Sequence, residues 1–157
     1  MCRTRLLILS CSLLCMLGCV YSFVLDGGGT LGQISILPSA NETSLREAGI
    51  ILDKEIETAL SSMGMLSTKE GLPQLKCIIM SATAREITST SLSANDRYRL
   101  TVHVSARLKD VGGKTLWQSN FSDKGTYNEG GQEEDALEES LKALAQQIAR
   151  QLASLKI

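Results

Sequence analysis

The sequence predicts an α+β two-layer sandwich, in which a four-stranded, mostly antiparallel or mixed sheet carries two helices packed on one face. Apolar and polar residues alternate from Tyr98 to Lys109, as in a strand with one buried face. Two other segments repeat apolar residues at three- and four-residue steps, as amphipathic helices do. The segments follow each other in the order β, α, β, β, β, α, which leaves two helices to cover the sheet.

The first strand and helix are predicted from the segment that follows residue 33. Ile34 to Pro38 has β-type residues, and Ser44 and Glu47 have the spacing of a helix capping box. The helix should run to about Met63, with Gly64 as its C′ residue. Its apolar stripe is Leu45, Ala48, Leu52, Ile56, Ala59, Leu60 and Met63.

The remaining strands are predicted from three β-rich segments. Cys77 to Ala84 is the second strand and continues less regularly toward Thr90. Tyr98–Lys109 turns back at Asp110–Gly113 and pairs with Thr115–Ser122, a hairpin expected at the centre of the sheet. The polar side of the third strand is then either solvated or a contact surface; it carries Arg99, Thr101, His103, Ser105, Arg107 and Lys109.

The last helix is predicted to begin at Glu133, after a polar, Gly-rich loop over residues 128–132. Acidic residues in its first turn suit the helix macrodipole. Its apolar stripe is Leu137, Leu141, Leu144, Ala145, Ile148, Leu152 and Leu155.

Overall charge and cysteine placement exclude two classes of protein. The chain has 16 Lys plus Arg against 17 Asp plus Glu and no basic run, so no nucleic-acid partner is expected. Of the five cysteines, Cys2, Cys11, Cys15 and Cys19 lie in the first nineteen residues, which excludes a disulfide framework for the domain.

The N-terminus resembles a bacterial lipoprotein signal. Arg3 and Arg5 precede an uncharged apolar stretch that ends at Gly18-Cys19. Residues 1–18 would be removed and Cys19 would become the lipidated N-terminus, anchoring the protein to a membrane. The alternative is an uncleaved signal anchor over residues 6–25, which is long enough to span a bilayer.

A tether over residues 19–32 is predicted between the anchor and the domain at residues 33–157. Residues 27–32 fit the spacing G-x-G-x-x-G, but they lead into a strand instead of a helix N-terminus. We therefore interpret them as a flexible linker and not as a nucleotide site.

Residues suited to catalysis or metal binding are scarce. His103 is the only histidine and has no metal-ligand partners at suitable spacing. Cys77 begins an apolar strand, where a small buried thiol is more common than a nucleophile. The acidic run at Glu133–Glu139 is interpreted as a solvated helix face. The sequence thus predicts a protein that is not an enzyme and that holds no metal or cofactor.

Several segments together resemble the LptE family of lipopolysaccharide-assembly lipoproteins. They are residues 18–23 at the mature start, Ile36-Leu37-Pro38-x-x-Asn41-x-Thr43 before the first helix, Tyr98–Leu108, and Tyr127-x-Glu129 leading into Glu133–Leu137. The resemblance implies an α+β domain anchored through Cys19 at the periplasmic face of the outer membrane. It also implies that the domain plugs an LptD-type β-barrel and binds lipopolysaccharide.

The resemblance further implies that basic residues at one end of the sheet contact lipopolysaccharide, and Arg97 and Lys124 are the nearest candidates. Arginine and lysine are suited to pairing with lipid phosphates. The alternative function is that of another lipid-anchored periplasmic protein-binding module, such as a secretin pilot or an envelope-assembly factor.

Overall fold

A computed structural model describes residues 31–87, 97–128 and 132–155. Its elements are β1 (Ser35–Asn41), α1 (Ala48–Ser62), β2 (Gln74–Ile87), β3 (Arg97–Lys109), β4 (Thr115–Asn128) and α2 (Glu133–Ala153). β1 pairs with β2 in parallel, whereas β2–β3 and β3–β4 are antiparallel. The predicted α+β fold with a mixed four-stranded sheet is confirmed.

The strand order is β1-β2-β3-β4, so the prediction that the β3–β4 hairpin forms the centre of the sheet is wrong. β2 and β3 are the central strands, and β4 is an edge. Two parallel strands need a crossover connection, and α1 provides it between β1 and β2. β1 therefore lies at the other edge of the sheet, next to β2. After β4 the chain enters α2, and no further strand among the described residues covers that edge.

The start of α1 differs from the prediction. The helix begins at Ala48, and no side-chain capping bond forms at Glu47, so the predicted Ser44–Glu47 capping box is wrong. Instead, the Asn41 side chain orders the preceding turn. Its Oδ1 accepts the backbone N–H and the hydroxyl of Thr43 at 3.0 and 2.7 Å, and its Nδ2 donates to the Leu45 carbonyl at 2.7 Å.

The end of α1 confirms the predicted role of Gly64. Gly64 has a φ of 68°, a left-handed conformation that glycine adopts at little cost. The N–H of Met65 then donates to the Leu60 carbonyl at 2.9 Å and satisfies one of the last helical acceptors. The last residue of the predicted stripe, Met63, is exposed.

A carboxylate from the helix layer fixes the irregular part of β1. The β1–β2 register shifts between Leu37 and Ala40, around Pro38, which has no N–H for the ladder. The backbone N–H of Ser39 donates instead to both carboxylate oxygens of Asp53 on α1, at 3.0 and 3.2 Å. Edge strand and helix are therefore held together by a charge-assisted bond.

The core lies between one face of the sheet and the two helices. α1 packs on β1 and β2, whereas α2 packs on β3 and β4. The strands present alternate aliphatic residues to this layer, and both helical stripes are largely buried as predicted. The largest fully buried side chains are Ile34, Leu52, Ile56, Leu60, Leu75, Ile79, Leu100, Leu108, Leu141, Leu144, Ile148 and Leu152.

Helix α2 approaches β4 closely at Gly125. A Cβ added there would lie 2.6 Å from the Ala136 carbonyl oxygen and 2.9 Å from the Ser140 hydroxyl oxygen. Only a glycine leaves room for this contact. Trp117 and Phe121, nearer the start of β4, pack against the core with ring centroids 6.0 Å apart.

Candidate functional site

The face of the sheet opposite the helices is uncovered by any described residue, and we call it the open face. Its β3 positions are the polar set predicted from the sequence, Arg99 to Lys109 at alternate residues. The pairing register places β2 and β4 side chains beside them, row by row. The open face is therefore a continuous polar surface that three strands build together.

Its charge is of one sign. Among the residues whose side chains the structure describes, open-face positions carry six lysines or arginines and no Asp or Glu. The carboxylates lie mainly on the helices and loops. The near-zero net charge of the chain therefore conceals an electropositive face. The six residues are Lys76, Arg85, Arg99, Arg107, Lys109 and Lys124.

Three of these residues form what we call the distal cluster: Arg85, Arg99 and Lys124. They line a depression of about 590 Å³ together with His103 and several hydroxyl side chains. Glu86, whose register position is on the helix side, also lines it. Such a group of cations, flanked by hydroxyl donors, is suited to a phosphorylated or otherwise anionic ligand.

Two arginines of the distal cluster are directly opposed. Arg85 and Arg99 are paired in register on β2 and β3, and both side chains are exposed. Like charges at directly opposite positions destabilise a strand pair. An anion placed between them would reduce that repulsion, so the pair is suited to an anionic ligand.

The structure places one of the two predicted ligand residues in this cluster. Lys124 is exposed on β4, opposite Thr101. Arg97 begins β3, and its backbone pairs with Ile87 and Asn128, four residues along the strand from the Lys124 row. Cys19, the predicted lipidation site, lies outside the described residues, as do residues 129–131 of the predicted loop.

The described part of the chain does not bring together side chains suited to catalysis. Burial, with a further effect of Asp53, raises the pKa of Cys77 from 9.0 to about 12, so the thiol stays protonated at neutral pH. His103 is exposed on the open face, beside the distal cluster. Within residues 31–87, 97–128 and 132–155, no group of His, Cys, Asp and Glu is arranged to hold a metal ion.

The family of the chain follows from its sequence. The model of the LptE family, described as lipopolysaccharide-assembly, matches residues 31–152, which cover all six elements of the fold except the last residue of α2. The chain belongs to the LptE family. The resemblance predicted from its motifs is thereby confirmed. No curated protein is a significant match to this sequence.

Solved structures, among them two of lipoproteins, share the fold of this LptE-family chain. A minor lipoprotein of Acinetobacter baumannii has a TM-score of 0.57 at 19% identity, with 80% of this chain and 94% of the other covered. A putative lipoprotein of Caulobacter crescentus has a TM-score of 0.56 at 19% identity, with 82% and 92% covered. The PelC dodecamer of Paraburkholderia phytofirmans has a TM-score of 0.52 at 17% identity, with 80% and 89% covered.

No helix in the described part of this LptE-family chain is both long and apolar enough to cross a membrane.

The alternation of β3 predicted the β3 residues of the open face, but it did not predict that Lys76 and Arg85 of β2 lie beside them. The pattern of β2 around them is irregular, because a register shift lies between Ile79 and Ser81. Open-face residues are even-numbered before the shift and odd-numbered after it, so simple alternation does not find both.

Proposed function

We propose that this chain is an outer-membrane lipoprotein, anchored through Cys19, that plugs an LptD-type β-barrel and binds lipopolysaccharide during its transport to the cell surface. Membership of the lipopolysaccharide-assembly family supports the proposal. The observation that carries the binding step is the open face, which has six cations and no carboxylate at its described positions.

The ligand contact follows from the chemistry of the distal cluster. Lipopolysaccharide carries phosphate groups, and a guanidinium can hold a phosphate through two parallel N–H bonds. Arg85 and Arg99 supply two such groups, and Lys124 adds a mobile positive charge. We extend the proposed site to Arg97, at the same end of the sheet. Binding one phosphate between these groups would release the repulsion between the paired arginines.

The plug function needs a rigid body and no catalytic group. The helix layer buries the central apolar residues of the sheet, so the domain has a hydrophobic core of its own. The open face is left free to face a polar lumen and a passing anionic glycolipid. We therefore propose a protein that assembles and binds but catalyses no reaction.

The ligand-binding part of the proposal is tested by charge reversal. We expect Arg97→Glu combined with Lys124→Glu to weaken lipopolysaccharide binding at least tenfold, because each substitution replaces attraction to phosphate by repulsion. The matched control is Lys142→Glu combined with Arg150→Glu, which makes the same change on exposed residues of α2. Equal binding by the two double variants would remove Arg97 and Lys124 from the site.

The partner is tested by purifying the C-terminally tagged protein from detergent-extracted outer membranes and identifying what accompanies it. We expect a large β-barrel in equal amount, retained by the charge-reversed variants. Recovery of a secretin or a peptidoglycan-linked protein would replace the plug by the alternative, a lipid-anchored protein-binding module. Mass spectrometry of the N-terminal peptide would test acylation at Cys19.

A further inference from the structure

A second group of cations lies at the other end of the open face, and we call it the proximal cluster: Lys76, Arg107 and Lys109. The three side chains line a separate depression of about 410 Å³. Lys76 comes from β2, whereas Arg107 and Lys109 come from β3. Arg107 and Lys109 share one side of β3 by simple alternation, and the pairing of the strands brings Lys76 beside them.

The proximal cluster repeats the unfavourable pairing of the distal one. Lys76 and Arg107 are directly opposite each other in register. Two like charges at this spacing oppose each other, and no open-face carboxylate in the described strands relieves them. Asp110, in the adjacent turn, accepts the backbone N–H of Lys114 at 2.8 Å and does not line the depression. The proximal cluster is therefore suited to an anionic ligand.

One of the cations is held in place over the face. The Nε of Arg107 donates to the Oε1 of Gln118 on β4 at 3.0 Å. A guanidinium has five N–H donors, and this bond uses one of them. The bond orients the side chain and keeps the other donors for a ligand, which lowers the entropy lost on binding.

The walls of the proximal depression are partly apolar. Leu37 of β1 is 36% exposed, and Ile78 of β2 is half-buried, and both line the depression beside the cations. Contact with these aliphatic side chains would not stabilise a free inorganic anion. Cations beside exposed aliphatic side chains suit an amphiphile whose charged head and hydrocarbon part lie next to each other.

The two clusters are too far apart to be one site. Arg99 and Arg107 are eight residues apart on β3, which corresponds to roughly 26 Å along an extended strand. The proximal cluster lies near the row that joins Ser35, Gln74 and Lys109. This is the end of the sheet where the chain enters β1 from the segment that carries Cys19.

We propose that Lys76, Arg107 and Lys109 form a second binding site for the phosphorylated head of a glycolipid, with Leu37 and Ile78 contacting its hydrocarbon part. The proposal rests on the proposed function, because the glycolipid is the lipopolysaccharide expected to pass over the open face. A molecule arriving from the tethered end would meet the proximal site first and the distal cluster second. The open face thus holds two successive sites.

The test is a binding titration of the purified, full-length lipoprotein in detergent with three probes: intact lipopolysaccharide, deacylated lipopolysaccharide and inorganic pyrophosphate. The proximal variant is Lys76→Gln, Arg107→Gln and Lys109→Gln, and the distal variant is Arg85→Gln, Arg99→Gln and Lys124→Gln. The matched control neutralises Lys54, Lys142 and Arg150 on the helices. We expect two saturable sites for lipopolysaccharide in the wild type and the control, and one in each of the other variants.

The hydrocarbon contact has its own readout. Leu37→Asn should weaken the binding of intact lipopolysaccharide at the proximal site at least tenfold and leave the binding of the deacylated form unchanged. The charge-conserving variant Lys76→Arg with Lys109→Arg should keep both sites, which separates loss of charge from damage to the fold. Loss of binding in that variant would count against recognition by charge.

Several results would overturn the proposal. If the proximal variant still has two lipopolysaccharide sites, then Lys76, Arg107 and Lys109 do not form a binding site. The proposed function would survive that result. Unchanged titrations combined with loss of the β-barrel partner from the proximal variant would assign the cluster to an acidic protein surface. Pyrophosphate binding at the proximal cluster without any lipopolysaccharide binding would retain an anion site there but contradict both its glycolipid ligand and the proposed function.

Discussion

The two faces of β3 differ more than any other two surfaces of the molecule. On the helix side, Leu100, Val102, Val104, Ala106 and Leu108 are at most 1% exposed. On the open face, the residues between them are polar or cationic; His103 and Arg107 are exposed, and Thr101 and Ser105 are half-buried. The helix side is apolar because it packs against the helices. The open face is not covered by any described residue, so its side chains can be polar.

The comparison shows that the two faces contribute to stability in opposite directions. Buried aliphatic groups supply the hydrophobic stabilisation of the domain. The open face contains directly opposed cations that oppose folding, such as Arg85 with Arg99. Groups that a stability requirement does not explain are the ones to test for a ligand.

The largest expected difference between the faces comes from truncating adjacent residues of β3. Leu100→Ala should lower the free energy of unfolding by about 2–5 kcal/mol, because it leaves a cavity under the helices. Thr101→Ala, on the open face, should change it by less than about 0.5 kcal/mol. Urea unfolding measures both, and a similar loss in the two variants would contradict the assignment of the faces.

The contact between α2 and β4 gives the next largest effect. Gly125→Ala should cost about 1–3 kcal/mol, because the new Cβ would lie 2.6 Å from a backbone oxygen that cannot easily move. Gly32→Ala is the control, since a Cβ there has no heavy atom within 4 Å. A neutral Gly125→Ala variant would mean that α2 does not pack tightly on β4.

Alkaline pH should lower the free energy of unfolding through Cys77, which is buried beneath the helices. The folded protein holds the pKa of this thiol at about 12, whereas the unfolded chain has the ordinary value of 9.0. Below pH 9 the thiol is neutral in both states and has no effect. Between pH 9 and 12 the unfolded state releases a proton that the folded state keeps, so stability falls by up to about 1.4 kcal/mol per pH unit.

This effect is isolated by comparing the wild type with Cys77→Ala in urea unfolding at pH 8, 9 and 10. Other groups titrate in both proteins and cancel in the difference. The gap in stability between the two should narrow as pH rises above 9. Parallel pH profiles would indicate that the thiol is accessible to water.

The smallest expected effect has the opposite sign. Arg99→Gln removes one of two directly opposed cations and should raise the free energy of unfolding by about 0.2–1 kcal/mol. Under the proposed function, the same variant should bind lipopolysaccharide more weakly. Arg150→Gln, on the last turn of α2, is the control and should bring no gain. A destabilised Arg99→Gln variant would show that the arginine serves the fold.

Most of the fold follows from local patterns. The period of two in β3 and the three- and four-residue steps in α1 and α2 identified these elements and their buried faces. The boundaries were less predictable. β4 extends six residues beyond the predicted Ser122, because pairing with β3 holds a polar segment that has no strand pattern of its own.

The site was only partly predictable for the same reason. Lys124 was found through resemblance to a family, and Arg99, Arg107 and Lys109 through the alternation of β3. Lys76 and Arg85 joined them only through the β2–β3 register and its shift. The Asp53 bond to β1 and the Asn41 turn depend on distant or competing polar partners, so no periodicity reveals them.

The sequence by itself determined the α+β class, the apolar face of each element and the family of the chain, because these depend on the order and spacing of residue types. The tertiary structure alone decided the strand order, the fit of α2 against Gly125 and the gathering of scattered cations onto one face. Charge in a linear chain can average to nearly zero. Folding separates it, because the pairing of strands sorts side chains to opposite sides of the sheet.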